Sequence, residues 1–190
     1  MERAPLLFVI SAPSGSGKTT LCDRLVAQVP DLVQTVSMTT RAPRQGERNG
    51  ADYIFVSAEE FEKLRAQDAF VEYAPVFGHL YGTPLNQIED IFSRGKDALL
   101  NIDVQGARQI KRRFPKSVLI FVKPPSTKEL ERRLRGRSTE TDSEIAKRLA
   151  IAAAEMERAV DYDYVVVNDT LEAALEELGA VIAAERCKTL

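Results

Sequence analysis

The residues with the clearest chemistry lie near the amino terminus, in the run Ala12-Pro13-Ser14-Gly15-Ser16-Gly17-Lys18-Thr19. This run matches the GxxxxGK[ST] pattern of phosphate-binding loops, except that alanine, the next smallest residue, replaces the first glycine. Glycine lets the backbone turn its N–H groups inward around an anion, and the N-terminus of a following helix adds further N–H groups and a positive dipole end. The run therefore predicts a cradle for the phosphates of a nucleotide.

Two side chains at the end of this loop complete the predicted cradle. The Lys18 ammonium group is placed to bridge the β- and γ-phosphates, and the Thr19 hydroxyl is placed to ligate Mg²⁺. Thr20 follows in the first turn of the predicted helix. We expect residues 12–20 to bind ATP together with Mg²⁺, and Lys18 also to neutralise charge on a transferred phosphate.

Asp103 is a further candidate because it follows the apolar run Ala98–Ile102. Such a run predicts a buried strand, and ligand sites of open parallel sheets form at the carboxyl ends of the strands. Three roles remain open for Asp103 at this point. It could hold Mg²⁺ or its waters, face a second substrate, or cap the turn that follows the strand.

A second cluster of polar residues lies between positions 37 and 83 and is suited to a phosphate monoester. Arg41 and Arg44 lie three residues apart, and Tyr53 and Tyr81 follow them. Guanidinium groups bind phosphate oxygens in pairs, and tyrosine hydroxyls supply additional donors. We predict that these four side chains hold a phosphate, with Arg41 also neutralising charge near the transferred group.

The same cluster contains groups that suit a nucleobase. Glu72 could accept hydrogen bonds from adjacent N–H groups of a base, while the hydroxyls of Ser37 and Thr83 could donate to a carbonyl. Gly82, which precedes Thr83 in the same short run, is expected to contribute to the same substrate-binding site. His79, the only histidine, is not assigned as a general base, because a phosphate acceptor is already an anion near neutral pH.

The pattern of apolar and amphipathic segments predicts the elements that carry these residues. Short apolar runs alternate with amphipathic stretches, which is typical of an α/β fold with a central parallel sheet covered on both faces. The predicted strands are Leu6–Ser11, Ala98–Ile102, Val118–Val122 and Tyr164–Val167, with helices over Lys18–Val29 and, capped by Asp169 or Thr170, over the stripe Leu171, Leu175, Leu178 and Ile182.

Two segments depart from this alternation. Residues 36–85 are rich in Thr, Arg, Gly, Tyr and Phe and contain a capping box from Ser57 to Glu60, which predicts an inserted mixed α+β lobe. Residues 126–150 are densely charged and predict two helices joined by a polar turn, a helical lid. The predicted core is a P-loop three-layer sandwich formed by residues 1–35, 86–125 and 151–190.

Composition limits the classes of function. The 28 acidic and 26 basic residues nearly balance, so that no global field favours nucleic acid as a partner. We expect neither a signal peptide nor a membrane span, because charged residues interrupt the apolar runs. The two isolated cysteines, Cys22 and Cys187, suit reduced thiols. These features predict a cytoplasmic protein without a membrane partner, and they leave open whether it forms a homo-oligomer.

Taken in order along nearly the whole chain, these motifs resemble those of the guanylate kinase family. The resemblance implies a kinase that transfers a phosphate from ATP to GMP or dGMP, with Mg²⁺ as cofactor, in purine nucleotide metabolism. The matching runs are Ser11–Thr19, Ser37–Arg44, Asp52-Tyr53, Tyr81-Gly82-Thr83, Asp103-Val104-Gln105-Gly106-Ala107, Leu134-Arg135-Gly136-Arg137, Ala146-Lys147-Arg148-Leu149 and Asn168-Asp169.

The resemblance also implies roles for individual residues. It assigns the phosphate of GMP to Arg41, Arg44, Tyr53 and Tyr81, guanine to Ser37, Glu72, Thr83 and Asp103, and the surroundings of adenine to Asn168. Arg137 and Arg148 match lid arginines that reach the transferred phosphate on closure. Ser138 stands where the family often has glycine, in the turn of the predicted lid.

Guanine is a chemically sensible partner for Glu72. Its N1–H and N2–H donors lie side by side, so a carboxylate accepts both, whereas adenine presents a lone pair at N1. A buried unpaired carboxylate costs roughly 2–4 kcal/mol, which would reject AMP. Two alternatives remain: a kinase of the same fold acting on a ribose bisphosphate, and a non-catalytic guanylate-kinase-like interaction module.

Overall fold

A computed structural model describes residues 3–136 and 142–188 of the chain. Its centre is a parallel five-stranded sheet with the order β2-β7-β1-β8-β9, which we call the central sheet. The four strands predicted from apolar runs are present, with ends that differ by at most one residue. The strands are β1 Leu7–Ser11, β2 Leu32–Gln34, β7 Asp97–Asn101, β8 Val118–Lys123 and β9 Tyr164–Val167.

Helices cover both faces of the central sheet, as the near-continuous apolar strands require. Side chains alternate along β1, so that Phe8 packs towards α1 and α7 on one face, and Val9 packs towards α3 and α4 on the other. This arrangement confirms the predicted α/β fold. The helices are α1 Lys18–Gln28, α3 Leu85–Ser93, α4 Val104–Arg113 and α7 Leu171–Arg186.

A second sheet of four strands, the small sheet, is inserted after β2 in the order β4-β3-β6-β5. Ser57 caps α2, accepting from the Glu60 N–H at 3.1 Å, in agreement with the predicted helix start. Phe61 of α2 stacks on Phe70 of β5 with ring centroids 4.5 Å apart. The elements are β3 Met38–Thr39, β4 Ile54–Phe55, α2 Ala58–Ala66, β5 Phe70–Val76 and β6 His79–Pro84.

Two further helices, α5 Thr127–Arg135 and α6 Asp142–Glu157, pack against one another through Leu130, Leu134 and Ala152. The polar turn predicted between them falls on residues 137–141, which lie outside the described residues. Because α6 runs on to Glu157 and is followed by a 3₁₀ turn at Arg158–Asp161, the lid boundary drawn at residue 150 lies inside a helix.

The buried carboxylate of Asp97 connects β7 to the N-terminal segment before β1 and to the end of α7. Asp97 at the start of β7 is fully buried, accepts from both Arg3 and Arg186, and also accepts from the Leu6 N–H at 2.8 Å.

Across the described ranges 3–136 and 142–188, no helix combines the length and apolar character needed to cross a membrane. Both cysteines carry free thiols, that of Cys22 being buried and that of Cys187 exposed.

Candidate active site

A cleft of about 440 Å³ opens at the carboxyl ends of the central strands. The loop after β1, the β5–β6 hairpin of the small sheet and one face of α6 form its walls. Most of the predicted site residues line it. They are Ala12, Pro13, Ser14, Gly15, Ser16, Gly17, Lys18, Thr19, Thr20, Ser37, Arg44, Tyr53, Glu72, Tyr81, Asp103 and Arg148.

The loop from Ala12 to Thr19, which we call the phosphate loop, depends on two glycines for its shape. Gly15 has φ +92° and Gly17 has φ +81°, a backbone conformation that other residues rarely adopt. A Cβ at Gly15 would lie 2.8 Å from Leu134 Cδ2, and one at Gly17 would lie 2.9 Å from Asn168 Nδ2. Side chains at either position would therefore strain the loop and displace its neighbours.

Lys18 begins α1 and points back along the loop. Its Nζ donates to the Ile102 carbonyl at 2.7 Å, which holds the ammonium group beside the carboxyl end of β7. Burial lowers the pKa of Lys18, an effect partly opposed by nearby acidic groups such as Asp103. The ammonium group is thus held where phosphate oxygens bound by the loop would meet it.

Asp103 caps α4, because its Oδ1 accepts from the Gly106 N–H at 2.9 Å. Its other oxygen accepts from Gln105 Nε2 at 3.1 Å, and the residue lines the cleft between the phosphate loop and Glu72. The capping role considered for this residue is therefore present. A role towards Mg²⁺ or guanine stays a prediction.

Glu72 on β5 is almost fully buried, with 3% of its surface exposed. Its Oε1 accepts from the Thr83 hydroxyl at 2.6 Å, and Thr83 itself is fully buried. Burial raises the pKa of Glu72 to about 7, the charge of Asp103 adds to this effect, and the Thr83 hydrogen bond and Lys18 oppose it. In this arrangement the Thr83 hydroxyl orients the carboxylate, and donation to a base carbonyl stays a prediction.

The fit of Glu72 depends on a glycine of α4. A Cβ added at Gly106 would lie 2.4 Å from Glu72 Oε2 and 3.0 Å from its Cδ. The helix therefore approaches the carboxylate as closely as a residue without a side chain allows. Sequence reasoning placed Gly106 in a matching run but gave it no role, because the contact joins residues more than thirty positions apart.

Arg41 lies beside the cleft and does not line it. Its guanidinium pairs with both carboxylate oxygens of Glu47, at 3.0 and 2.8 Å, and its Nε donates to the Tyr81 hydroxyl at 3.1 Å. Glu47 also accepts from the Arg44 N–H at 2.7 Å, and the Arg41 hydrogen bonds lower the pKa of Glu47. Sequence reasoning missed Glu47, although an acidic residue three positions after Arg44 was a usable signal.

The remaining predicted residues of the small sheet divide into two groups. Ser37, Arg44, Tyr53 and Tyr81 line the cleft, and the Tyr53 and Tyr81 rings meet edge to face with centroids 5.8 Å apart. Gly82 is buried behind them, where a Cβ would lie 2.9 Å from Phe70 Cδ1. The glycine therefore serves the packing of the sheet.

One face of α6 lines the cleft opposite the small sheet. Arg148, Ile151 and Glu155 lie at offsets of three and seven on this face. The Arg148 guanidinium carbon lies 5.5 Å from the centre of the Phe77 ring. Arg137, the other predicted lid arginine, lies outside the described residues, so its placement stays a prediction.

Glu155 is a second acidic residue of the cleft that sequence reasoning missed. Burial raises its pKa to about 6, although Lys18 opposes this effect. Its Oε2 is buried without a hydrogen-bond partner among residues 3–136 and 142–188. The spacing from Arg148 could have indicated this position, because residues seven apart share a helix face.

Asn168 lies in a neighbouring cavity on the far side of the phosphate loop, and its Nδ2 donates to the Ser16 carbonyl at 2.7 Å. Arg133 of α5 donates to the Asn168 carbonyl at 3.2 Å. The position suits a ligand whose phosphates lie in the loop. The cavity is lined by Gly15, Gly17, Thr20, Arg132, Arg133, Gly136, Asn168, Asp169 and Leu171.

Comparison with known proteins gives a consistent result. The family model described as Guanylate kinase matches residues 4–185. A guanylate kinase of Geobacter sulfurreducens is 48% identical over 189 residues, covering 100% of this chain and 93% of that protein. A guanylate kinase of Anaeromyxobacter dehalogenans is 53% identical over 190 residues, covering 98% of this chain and 84% of the relative.

A solved structure agrees with these sequence matches. The crystal structure of guanylate kinase from Anaplasma phagocytophilum superimposes with a TM-score of 0.84 at 36% sequence identity. The match covers 99% of this chain and 89% of that one. The similarity therefore extends over the central sheet, the small sheet and the cleft between them.

Proposed function

The chain belongs to the guanylate kinase family, and we propose that the cleft is where it transfers the γ-phosphate of ATP to GMP. The assignment of the site rests on one observation, namely that the two groups of predicted residues line the same cleft. The phosphate loop forms one end, and Glu72 with Arg44, Tyr53 and Tyr81 forms the other. A donor and an acceptor bound at these ends would point their phosphates towards each other.

The acceptor side would bind GMP through its guanine base and through its phosphate. The Glu72 carboxylate, oriented by Thr83, would accept from N1–H and N2–H of guanine, with Ser37 at the same wall. Arg44, Tyr53 and Tyr81 would bind the phosphate. Arg41 would act from behind them, because Glu47 and Tyr81 already fix its guanidinium.

The donor side would hold ATP through the backbone N–H groups of the phosphate loop and the Lys18 ammonium group. We place adenine in the cavity beside Asn168. Phosphoryl transfer depends on alignment and charge neutralisation more than on covalent chemistry. Lys18 and Arg148, with Arg137 once the lid closes, would surround the transferred group and exclude water.

The residues at the phosphate loop fit a Mg²⁺ ion that is bound together with ATP. Within residues 3–136 and 142–188, no group of three or more His, Cys, Asp or Glu side chains is arranged to hold a metal ion. Mg²⁺ at nucleotide sites needs only one or two protein ligands, because phosphate oxygens and water supply the rest. The Thr19 hydroxyl, exposed in the cleft, would be that ligand, and the ion would neutralise phosphate charge.

A coupled assay of ADP release tests this function directly. GMP, dGMP, AMP, UMP and ribose phosphates would be compared as acceptors at fixed MgATP. We expect turnover with GMP, and at least about a hundredfold lower kcat/KM with AMP, because Glu72 would lose its donors. Turnover with a ribose phosphate equal to that with GMP would contradict the guanine site.

The two alternatives raised from the sequence are not favoured. The family match and the relatives named guanylate kinase extend over nearly the whole chain. A non-catalytic interaction module has no need of the phosphate loop and Lys18, both of which line the cleft here.

A further inference from the structure

The tip of the β5–β6 hairpin carries a residue that its backbone does not favour. Phe77 and Gly78 form a two-residue loop, with Val76 paired to His79, and their φ angles are +48° and +80°. Such loops favour Asn-Gly, and a bulky residue at positive φ is an outlier. Moreover, 56% of the Phe77 surface is exposed, so that packing within the hairpin does not explain a phenylalanine.

The ring of Phe77 faces the cleft and meets the opposite wall. Arg148 of α6 lies with its guanidinium carbon 5.5 Å from the ring centre, within the range of a cation–π contact. Ile151, one turn further along α6, lines the same cleft with 42% of its surface exposed. The hairpin tip and α6 therefore meet at the mouth of the cleft.

We propose that Phe77 is a positioning residue, whose ring holds the Arg148 guanidinium at the mouth of the cleft until phosphates draw it inward. The inference rests on the role proposed above for Arg148. A ring attracts a guanidinium through its π face and brings no negative charge. The contact therefore does not compete electrostatically with a phosphate for Arg148.

Two substitutions separate positioning from folding. Phe77→Asn removes the ring but places a favoured residue at positive φ, so the melting temperature should stay equal or rise. We expect kcat to fall about tenfold, because the Arg148 guanidinium loses the π face beside it, while the KM for GMP changes less than about twofold. Phe77→Tyr keeps the ring and should restore kcat to near the wild-type value.

A double variant tests whether Phe77 acts through Arg148. If it does, Phe77→Asn should cause no further loss of turnover in an Arg148→Ala background. A further loss of about tenfold there, or wild-type turnover of Phe77→Asn alone, would overturn the inference. Wild-type turnover of Arg148→Ala would instead contradict the proposed role of Arg148, which is a distinguishable result.

Discussion

The end of the cleft that we propose for the phosphate donor is built mainly from backbone, to which Lys18 and Thr19 add side chains, whereas the proposed acceptor end is built from side chains. Residues 12–20 are consecutive, and two glycines at positive φ shape the loop that we propose binds phosphate. The acceptor side draws Ser37, Arg44, Glu72 and Tyr81 from different strands and loops of the small sheet. Any nucleoside triphosphate would satisfy the first arrangement, whereas only a particular acceptor would satisfy the second.

This difference has an energetic basis. Backbone N–H groups recognise charge, and they depend only on the local fold of the loop. The Glu72 carboxylate is held by Thr83 and is tightly enclosed by Gly106. A base without matching donors would leave it buried and unpaired, and in the proposed site specificity would therefore come from the penalty for a wrong partner.

The largest expected effect lies on the donor side. Lys18→Met keeps the length of the side chain and removes its charge, so turnover should fall by about a thousandfold with every acceptor. Steady-state kinetics with GMP and dGMP would measure this loss. Lys116→Met removes an exposed charge from the loop before β8, away from the cleft, and should change nothing. Near-normal turnover of Lys18→Met would remove the loop from the mechanism.

A glycine substitution should separate the two sides. In Gly106→Ala the new Cβ would displace the Glu72 carboxylate, so the KM for GMP should rise about tenfold or more while the KM for ATP stays constant.

Gly179→Ala is the matched control for this change. Gly179 also lies inside a helix, α7, and a Cβ there meets nothing within 4 Å. Alanine at this position should leave both KM values unchanged and slightly stabilise the helix. An equal rise of both KM values in Gly106→Ala would show that the helix itself, and not the carboxylate, had been disturbed.

A smaller effect follows from the titration of Glu72. Its pKa is raised to about 7, and the proposed pairing with guanine requires the ionised form. The apparent affinity for GMP should therefore increase about tenfold between pH 6 and pH 8, because the ionised fraction grows by that factor. Calorimetry across this range would measure it. Glu72→Gln retains the titration of the GMP phosphate, so the difference between the two proteins isolates the carboxyl group.

The raised pKa of Glu72 should make the stability of the folded protein fall with rising pH, whereas it should make the affinity for GMP rise. The folded protein binds the Glu72 proton more tightly than the unfolded chain does. The contribution of Glu72 to the free energy of unfolding is therefore most favourable at pH values below the pKa of this group in the unfolded chain. Its contribution to the free energy of unfolding decreases as the pH rises through about 7. In the empty protein, Glu72→Gln should remove this decrease. If the affinity rises with pH while stability does not fall, another group is titrating.

Local patterns predicted the strand-loop-helix structure around the phosphate loop and the strands of the central sheet well. The phosphate loop is contiguous, and the apolar strands are buried on both faces, so both leave a signal within a few residues. The three-residue strand β2 was not predicted, because its own sequence is too short to show a strand pattern. Its pairing with β7 defines it as a strand. The C-terminal helix has Thr170 as its cap, one of the two residues considered.

The residues proposed for the acceptor were named from the sequence, but the contacts among the elements that carry them were not predicted. The Arg41–Glu47 pair, the Gly106–Glu72 contact and the Phe77–Arg148 contact join residues from separate elements. Only the folded chain brings them together. The periodicity of a single helix could indicate that Glu155 shares a face with Arg148, but it could not indicate what that face meets.

The most direct test of the account is the pair of KM values in Glu72→Gln. The amide can accept one guanine donor but presents its own NH₂ group to the other, so the KM for GMP should rise about a hundredfold. The KM for ATP should stay within about twofold, since the phosphate loop is untouched. Glu89→Gln, which changes an exposed glutamate on α3, is the control. A parallel rise of both values in Glu72→Gln would contradict the division of the cleft into a backbone donor side and a side-chain acceptor side.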